Sequence, residues 1–206
     1  MNIALVGAGN VGRALAGGWR KAGHEVAFAV RDPATDKSNA LAAEGYRVVA
    51  MHRAAAASDI LVLAVPWPQI ENVINELGTV TGKIVVDATN PLTETLDLAV
   101  GFIDSAGETV ARLAKGARVV KAFNTTGADN MANAMSFPVK PVMAVASDDA
   151  EAKQTVRRLA DDLGFESMDA GPLKAARLLE PMAVLWISHA YSGGAGTKFA
   201  YALTRR

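Results

Sequence analysis

The chain has 206 residues, enough for one domain with a substantial core, and its 21 basic residues balance its 21 acidic ones. This balance argues against nucleic acid or an acidic membrane as partner, and the lack of cysteine excludes disulfides, cysteine nucleophiles and thiolate-bound metals. The three histidines have no ligand-type spacing, so we expect no metal site. We also expect no signal peptide, no membrane span and a cytoplasmic location, because we find neither a basic leader nor an apolar run of about 20 residues.

The first predicted strand, residues 3–6, runs directly into a G-x-G-x-x-G turn, and a predicted helix over 10–22 opens with that turn. The turn consists of Gly7, Ala8, Gly9, Asn10, Val11 and Gly12. In such a turn the first glycine permits a tight reversal, the second lets a diphosphate approach the backbone, and the third lets helix and strand pack closely. Because the helix N-terminus attracts phosphate, the context favours a dinucleotide site over a purely structural turn.

A second strand is predicted over 25–30, and the residue that follows it indicates which dinucleotide binds. A site for NAD usually has an acidic residue near this point, which accepts hydrogen bonds from the ribose hydroxyls. This chain has Arg31, whose guanidinium suits the 2′-phosphate of NADP. Asp32 weakens that interpretation, and Arg31 could also be a surface charge at a strand end. We expect NADP(H) as the cofactor.

Helix and strand patterns alternate along the rest of the chain. Further helices are predicted over 33–45, 53–58, 69–77, 105–115, 149–163 and 174–190, the last interrupted by Pro181, and further strands over 46–50, 60–65, 83–87, 118–121, 142–145 and 165–168. This order predicts an α/β fold, with a doubly wound, mainly parallel Rossmann sheet in residues 1–170 and a C-terminal helical extension in 171–206. Strand four should lie beside strand one. The last helix has little polar face, so we expect it in the core or, preferably, at a homodimer interface.

Small or polar residues follow several strands at the edge where ligands bind in such sheets. Residues 65–67 should border the cofactor, where Trp67 either flanks the ligand or caps the core. Residues 88–92 suit a wall against the nicotinamide ring. Asn124 either binds a substrate carbonyl or caps the segment that follows.

Taken together, several stretches resemble the family of coenzyme F420-dependent NADP oxidoreductases, whose dinucleotide-binding module also occurs in the cytoplasmic domain of the STEAP metalloreductases. They are residues 3–12, Arg31, residues 65–67, residues 121–124 (Lys-Ala-Phe-Asn), and residues 169–173 (Asp-Ala-Gly-Pro-Leu) with Arg177, Leu178 and Glu180. The last stretch is the most specific, because a general Rossmann protein has no reason to contain it. Residues 121–124 look closer to the metalloreductase and bacterial branch than to the archaeal one.

The resemblance implies an NADP site and, over the nicotinamide, a small-molecule redox acceptor such as coenzyme F420 or FMN. Together with the glycine turn, the cofactor-binding positions are Gly7, Ala8, Gly9, Asn10, Val11, Gly12, Arg31, Val65, Pro66, Asn90 and Ala122. The acceptor positions are Trp67, Pro91, Leu92, Asn124, Gly171, Pro172 and Leu173. Two positions depart from the family pattern, and both argue against F420 itself: Val30 stands where the family commonly has Ser, and Asn124 stands where archaeal members have His.

Hydride transfer between a nicotinamide and a flavin-like ring needs no general acid or base, so no catalytic residue is expected. Lys121 is the one plausible acid–base candidate, and its place at a strand end favours a structural or phosphate-facing role. We therefore expect an NADPH-dependent oxidoreductase that passes hydride to a deazaflavin or flavin. The alternatives are a flavin-mediated ferric reductase and a non-catalytic NADP-binding sensor.

Overall fold

The computed structural model covers residues 1–206 and contains eight strands and eight α-helices. The strands are β1 (Asn2–Val6), β2 (Glu25–Val30), β3 (Arg47–Ala50), β4 (Ile60–Leu63), β5 (Ile84–Asp87), β6 (Arg118–Lys121), β7 (Val142–Ala146) and β8 (Glu166–Gly171). The helices are α1 (Asn10–Lys21), α2 (Asp36–Ala43), α3 (Ala54–Ala57), α4 (Ile70–Leu77), α5 (Ala106–Leu113), α6 (Ala128–Ala132), α7 (Ala150–Asp162) and α8 (Ala176–Tyr191). None of these helices combines the length and apolarity needed to cross a membrane.

All strands form one sheet in the order β3-β2-β1-β4-β5-β6-β7-β8. Strand β4 pairs with β1 in parallel, from Ile3 opposite Ile60 to Val6 opposite Leu63, as expected for a doubly wound sheet. Strand β7 pairs with β6 in the antiparallel direction, and β8 runs parallel to β7. The predicted α/β, mainly parallel Rossmann sheet is confirmed, while the reversal at β7 was not predicted.

Buried side chains cover both faces of the sheet, which explains why the central strands are almost wholly apolar. Leu15 and Trp19 of α1 pack on one face with residues of α7, and Nε1 of Trp19 donates to the carbonyl oxygen of Leu159 at 2.9 Å. Ile70 and Val73 of α4 pack on the other face.

Two elements at the end of the chain differ from the prediction. Helix α6 was not predicted, and α8 continues through Pro181 instead of being interrupted there. The proline removes one backbone donor, but Leu179, Ala183 and Trp186 of the same helix are buried, and this packing outweighs the lost bond.

The C-terminal tail folds back onto the domain as an aromatic anchor. Phe199 stacks on Trp186 with ring centroids 5.2 Å apart, and its carbonyl oxygen accepts from Nε1 of Trp186 and Nδ2 of Asn130. Tyr201 adds a bond to β7 by accepting from the N–H of Val142. The separate functional role expected for residues 171–206 stays a prediction.

Candidate functional site

The turn between β1 and α1 packs too tightly for a side chain at two of its three glycines. A β-carbon at Gly7, whose φ is +109°, would lie 2.3 Å from the carbonyl oxygen of Ala64. A β-carbon at Gly12 would lie 2.0 Å from the carbonyl oxygen of Gly7, whereas one at Gly9 would have no neighbour within 4 Å. The fold therefore requires the first and third glycines, while the second keeps the space above the turn open.

The N-terminus of α1 presents unpaired donors beside that space. The N–H groups of Asn10, Val11 and Gly12 donate to no other group of the chain. Helices α2, α5 and α7 each have a side-chain cap and an acidic residue in the first turn, but α1 has neither. A long, uncapped helix end without negative charge suits a diphosphate, so the residues present fit a dinucleotide.

A cleft of about 790 Å³ lies beside the turn, between Ala8 and the connection from β2 to α2. Arg31 and Lys37 both line this cleft, as do Arg13 and Asp32. Arg13 is neutralised by Glu44 in an ion pair of 2.6 Å, but Lys37 has no partner in the chain. Lys37 is a candidate that sequence reasoning missed, because it lies six positions after Arg31 and belongs to no motif.

Glu76 of the neighbouring helix α4 binds the side chain of Arg31. Its Nε donates to both carboxylate oxygens of Glu76, at 2.9 and 3.0 Å, and its two Nη groups have no partner in the chain. Both side chains remain partly exposed. The contact leaves the end of the guanidinium available to a second anion, and the role predicted for Arg31 stays a prediction.

The chain leaves β4 through residues 65–67. Val65 and Trp67 are half-buried against the core beneath α4, and Pro66 is exposed. Trp67 also begins a short 3₁₀ turn, Trp67–Gln69. This packing agrees with the core-capping alternative for Trp67, while a contact with ligand stays a prediction.

The turns that follow β5 and β6 are joined by two amide side chains. Nδ2 of Asn90 donates to the carbonyl oxygen of Asn124 at 3.0 Å, and Nδ2 of Asn124 donates to Oδ1 of Asn90 at 3.0 Å. Nδ2 of Asn124 also donates to the carbonyl oxygen of Leu179 at 3.1 Å, and its Oδ1 is buried without a partner in the chain. The fold thus brings two predicted site residues together. Near them, Ala122 and Pro91 are buried and Leu92 is half-buried.

Close to this pair lies a buried group that we call the lysine cluster: Asp87, Thr89, Lys121 and Glu180. Nζ of Lys121 donates to Oδ2 of Asp87 at 2.8 Å and to Oε1 of Glu180 at 2.9 Å. Its third bond goes to the carbonyl oxygen of Thr89 at 2.7 Å. The N–H and Oγ1 of Thr89 both donate to Oδ1 of Asp87, at 2.9 and 2.7 Å.

This geometry decides the role of Lys121. The side chains of Lys121, Asp87 and Glu180 have no exposed surface, and all three donors of the ammonium are used. Burial raises the pKa of Glu180, although Lys121 and two backbone N–H groups oppose the shift. Lys121 therefore has a structural role and is not placed to exchange protons with a substrate.

Phe123 has a strained backbone at the end of β6. Its φ is +59°, and its ring is fully buried and lies edge-on to Trp19 at 5.4 Å. Such strain in a bulky residue costs about 1–3 kcal/mol and persists only where the surrounding packing imposes it. It turns the chain between Ala122 and Asn124, which sequence reasoning could not detect.

The turn after β8 contacts the end of β7 and the start of α7. The N–H of Leu173 donates to Oδ1 of Asp148 at 3.0 Å, and the carbonyl oxygen of Gly171 accepts from Nζ of Lys153 at 3.0 Å. Leu173 is buried, Pro172 is exposed, and no hydrogen bond joins this turn to residues 90–92. Strand β8 runs in the direction opposite to β6. Gly171, at the end of β8, therefore lies level with Lys121 in the sheet and not beyond the carboxyl end of β6.

Helix α8 clamps the N-terminus of α5 through two of its side chains. Arg177 donates from Nε and Nη2 to the carboxylate of Glu108, both at 2.7 Å, and this bond lowers the pKa of Glu108. Glu180 accepts from the N–H groups of Ala106 and Gly107, at 2.9 and 3.1 Å. Two residues of the most family-specific stretch thus join two helices beside the lysine cluster.

Comparison with known proteins agrees with this geometry. Residues 2–91 match the model of the family described as NADP oxidoreductase, coenzyme F420-dependent. A candidate F420-dependent NADP reductase of Arthrobacter sp. FB24 has a crystal structure that is 30% identical, covers 100% of both chains and superposes with a TM-score of 0.90. This chain belongs to the coenzyme F420-dependent NADP oxidoreductase family. It is an NADP-dependent oxidoreductase that binds NADP(H) on a Rossmann fold.

Two other known proteins are similar to this chain. A hypothetical protein of Sinorhizobium meliloti is 30% identical over 85% of this chain and 87% of its own, with a TM-score of 0.74. Metalloreductase STEAP3 of Rattus norvegicus is 29% identical over 178 residues, which is 86% of this chain. This chain spans only 35% of the length of that metalloreductase.

Proposed function

We propose that this enzyme transfers hydride between NADP(H) and a flavin or deazaflavin acceptor. The main support for this cofactor site is the uncapped N-terminus of α1. It lies beside a cleft lined by Arg31 and Lys37. The diphosphate would accept from the free N–H groups of α1, and the two cations would bind the 2′-phosphate. Residues that follow β4, β5 and β6 then line the nicotinamide half: Val65, Pro66, Asn90 and Ala122.

The mechanism that we propose depends on positioning. The bound cofactor supplies a hydride, so two electrons and one proton pass together to the acceptor ring. The protein has to hold the two rings in contact and exclude water, and it needs no acid or base for this step. The ammonium of Lys121 supports such a mechanism, because all three of its N–H donors are held by buried acceptors and it fixes the turn after β5.

We propose further that the acceptor binds between residues 90–92 and residues 171–173. A groove of about 500 Å³ lies beside the second segment, where Phe102, Pro172 and Leu178 line it. Lys174, which has no partner in the chain, lies in the same groove. Arg177 also lines the groove but is paired with Glu108, so an apolar groove with one unpaired cation remains, which suits a planar ring with a negatively charged tail. Trp67, Leu92 and Asn124 are also proposed to bind the acceptor.

Two residues bear on whether the acceptor is FMN or coenzyme F420. Val30 and Asn124 depart from residues common in the family, which favours FMN over coenzyme F420. The similarity to a metalloreductase supports a flavin-mediated ferric reductase as the second candidate.

Anaerobic NADPH oxidation by the purified protein distinguishes these candidates. Coenzyme F420, FMN, and FMN with a ferric chelate are offered in parallel, with protein lacking the diphosphate site (Gly9→Ala) as the control. We expect turnover with FMN, and turnover that requires the chelate would favour the ferric reductase. Turnover with F420 alone would overturn the preference for FMN, and no turnover with any of the three would refute a flavin or deazaflavin as the acceptor.

We also propose that the protein is a homodimer in which α8 packs against its copy. Leu178, Met182 and Leu185 form an apolar stripe along α8, and Leu178 and Leu185 are 72% and 61% exposed. Light scattering after size exclusion should give twice the chain mass for the wild type and the chain mass for Leu185→Glu. A wild-type monomer would contradict the proposal.

A further inference from the structure

The lysine cluster contains every charged side chain that the fold buries, namely Asp87, Lys121 and Glu180. Buried ionic groups generally add little stability compared with an apolar core of the same volume, so the position of this cluster calls for another explanation. It lies at the carboxyl ends of β5 and β6, where the proposed nicotinamide half binds.

The cluster determines the backbone conformation of the turn after β5. Lys121 holds the carbonyl oxygen of Thr89, and Asp87 accepts from both the N–H and the Oγ1 of the same residue. The next residue, Asn90, makes the amide pair with Asn124. Asn90, in the wall of the proposed site, thus directly follows the residue that the cluster holds.

Helix α8 contacts both the lysine cluster and the turn after β6 through two adjacent residues. Glu180 binds Lys121, and the carbonyl oxygen of Leu179 accepts from Asn124. We propose that Glu180 is a positioning residue for the nicotinamide half of NADP(H), acting through Lys121 on residues 88–90. This inference rests on the proposed function, because it needs the cofactor to lie across the turns after β5 and β6.

The proposal predicts different effects on the binding of the two halves of the cofactor. The adenosine half would contact the glycine turn and Arg31, at β1 and β2, and no hydrogen bond or ion pair joins the cluster to those residues. Loss of Glu180 should therefore weaken binding of the whole cofactor and leave unchanged the binding of 2′,5′-ADP, which has the adenosine half and the 2′-phosphate but no nicotinamide.

The test compares Glu180→Gln with Arg177→Gln, which breaks the neighbouring contact between α8 and α5 without touching Lys121. Calorimetry with NADPH and with 2′,5′-ADP gives the two dissociation constants, and thermal unfolding reports stability. For Glu180→Gln we expect NADPH to bind roughly tenfold more weakly and 2′,5′-ADP to stay within about twofold. Arg177→Gln should change neither constant.

Equal weakening of both ligands, or the same pattern in both variants, would overturn the positioning role. Thr89→Val removes only the Oγ1 donor, and it must show the same selective loss if Glu180→Gln does not fold; unchanged NADPH binding in that variant would also overturn the role. A wild-type protein that binds neither ligand would instead refute the proposed cofactor site.

Discussion

Nε of Arg31 donates to both carboxylate oxygens of Glu76, a residue of α4 that lies 45 positions further along the chain. The contact uses one edge of the guanidinium and leaves both Nη groups without a partner. A guanidinium oriented in this way can bind a phosphate through two parallel hydrogen bonds. Under the proposed function, Glu76 would thus orient Arg31 toward the 2′-phosphate that distinguishes NADP from NAD.

Replacing Arg31 with alanine tests the choice of cofactor. Arg31→Ala should weaken NADPH binding by about 1–3 kcal/mol, the size of a lost charge-assisted hydrogen bond, and leave NADH binding nearly unchanged. Calorimetry with both dinucleotides measures this, and Arg158→Ala, an exposed arginine on α7, is the control. Equal losses for the two dinucleotides would refute the assignment to the 2′-phosphate.

Lys37 should contribute a smaller, salt-dependent share of the same affinity. Because its ammonium is exposed, Lys37→Ala should raise the NADPH dissociation constant by roughly threefold at low ionic strength, and the difference should shrink as salt increases. Titrations at two salt concentrations measure it, with the exposed Lys115→Ala as the matched variant. An effect independent of salt would contradict a direct charge interaction.

The second and third glycines of the first turn should respond differently to alanine. Gly9→Ala should fold with nearly the wild-type melting temperature but bind NADPH at least about tenfold more weakly, because its β-carbon would enter only the space for the diphosphate. Gly12→Ala should lose about 1–3 kcal/mol of stability or fail to fold, because of the overlap with the carbonyl oxygen of Gly7. Thermal unfolding and NADPH titration of both variants check this contrast, and tight NADPH binding by Gly9→Ala would contradict it.

The clamp between α5 and α8 should make stability depend on pH. The bond from Arg177 lowers the pKa of Glu108 in the folded protein. A carboxyl group with a lowered pKa stabilises the fold above its ordinary value and loses this contribution as the pH falls through the folded-state value. Urea unfolding should therefore show Glu108→Gln less stable than the wild type at neutral pH, with the difference disappearing in acid. A difference that persists in acid would indicate packing as the cause.

Local sequence patterns were sufficient to predict most of the helices and strands. The apolar runs of β1 and β4 are bounded by glycine or proline, and the capping residues Ser105 and Asp149 mark the starts of α5 and α7. The reversal of β7 was missed, because the direction of a strand depends on the path of the connection before it. The continuity of α8 through Pro181 was missed as well, since burial of its neighbours outweighs a lost donor.

By itself, the sequence determined the Rossmann sheet and its glycine turn, because hydrophobic periodicity and the spacing of the three glycines are visible over short stretches of the chain. Only the tertiary structure decided the partners of the polar residues that follow the strands. Lys121 meets Asp87 across 34 positions, and Asn124 meets Leu179 across 55. No local pattern encodes such pairs, since the folded sheet and α8 must first bring the groups within hydrogen-bonding distance.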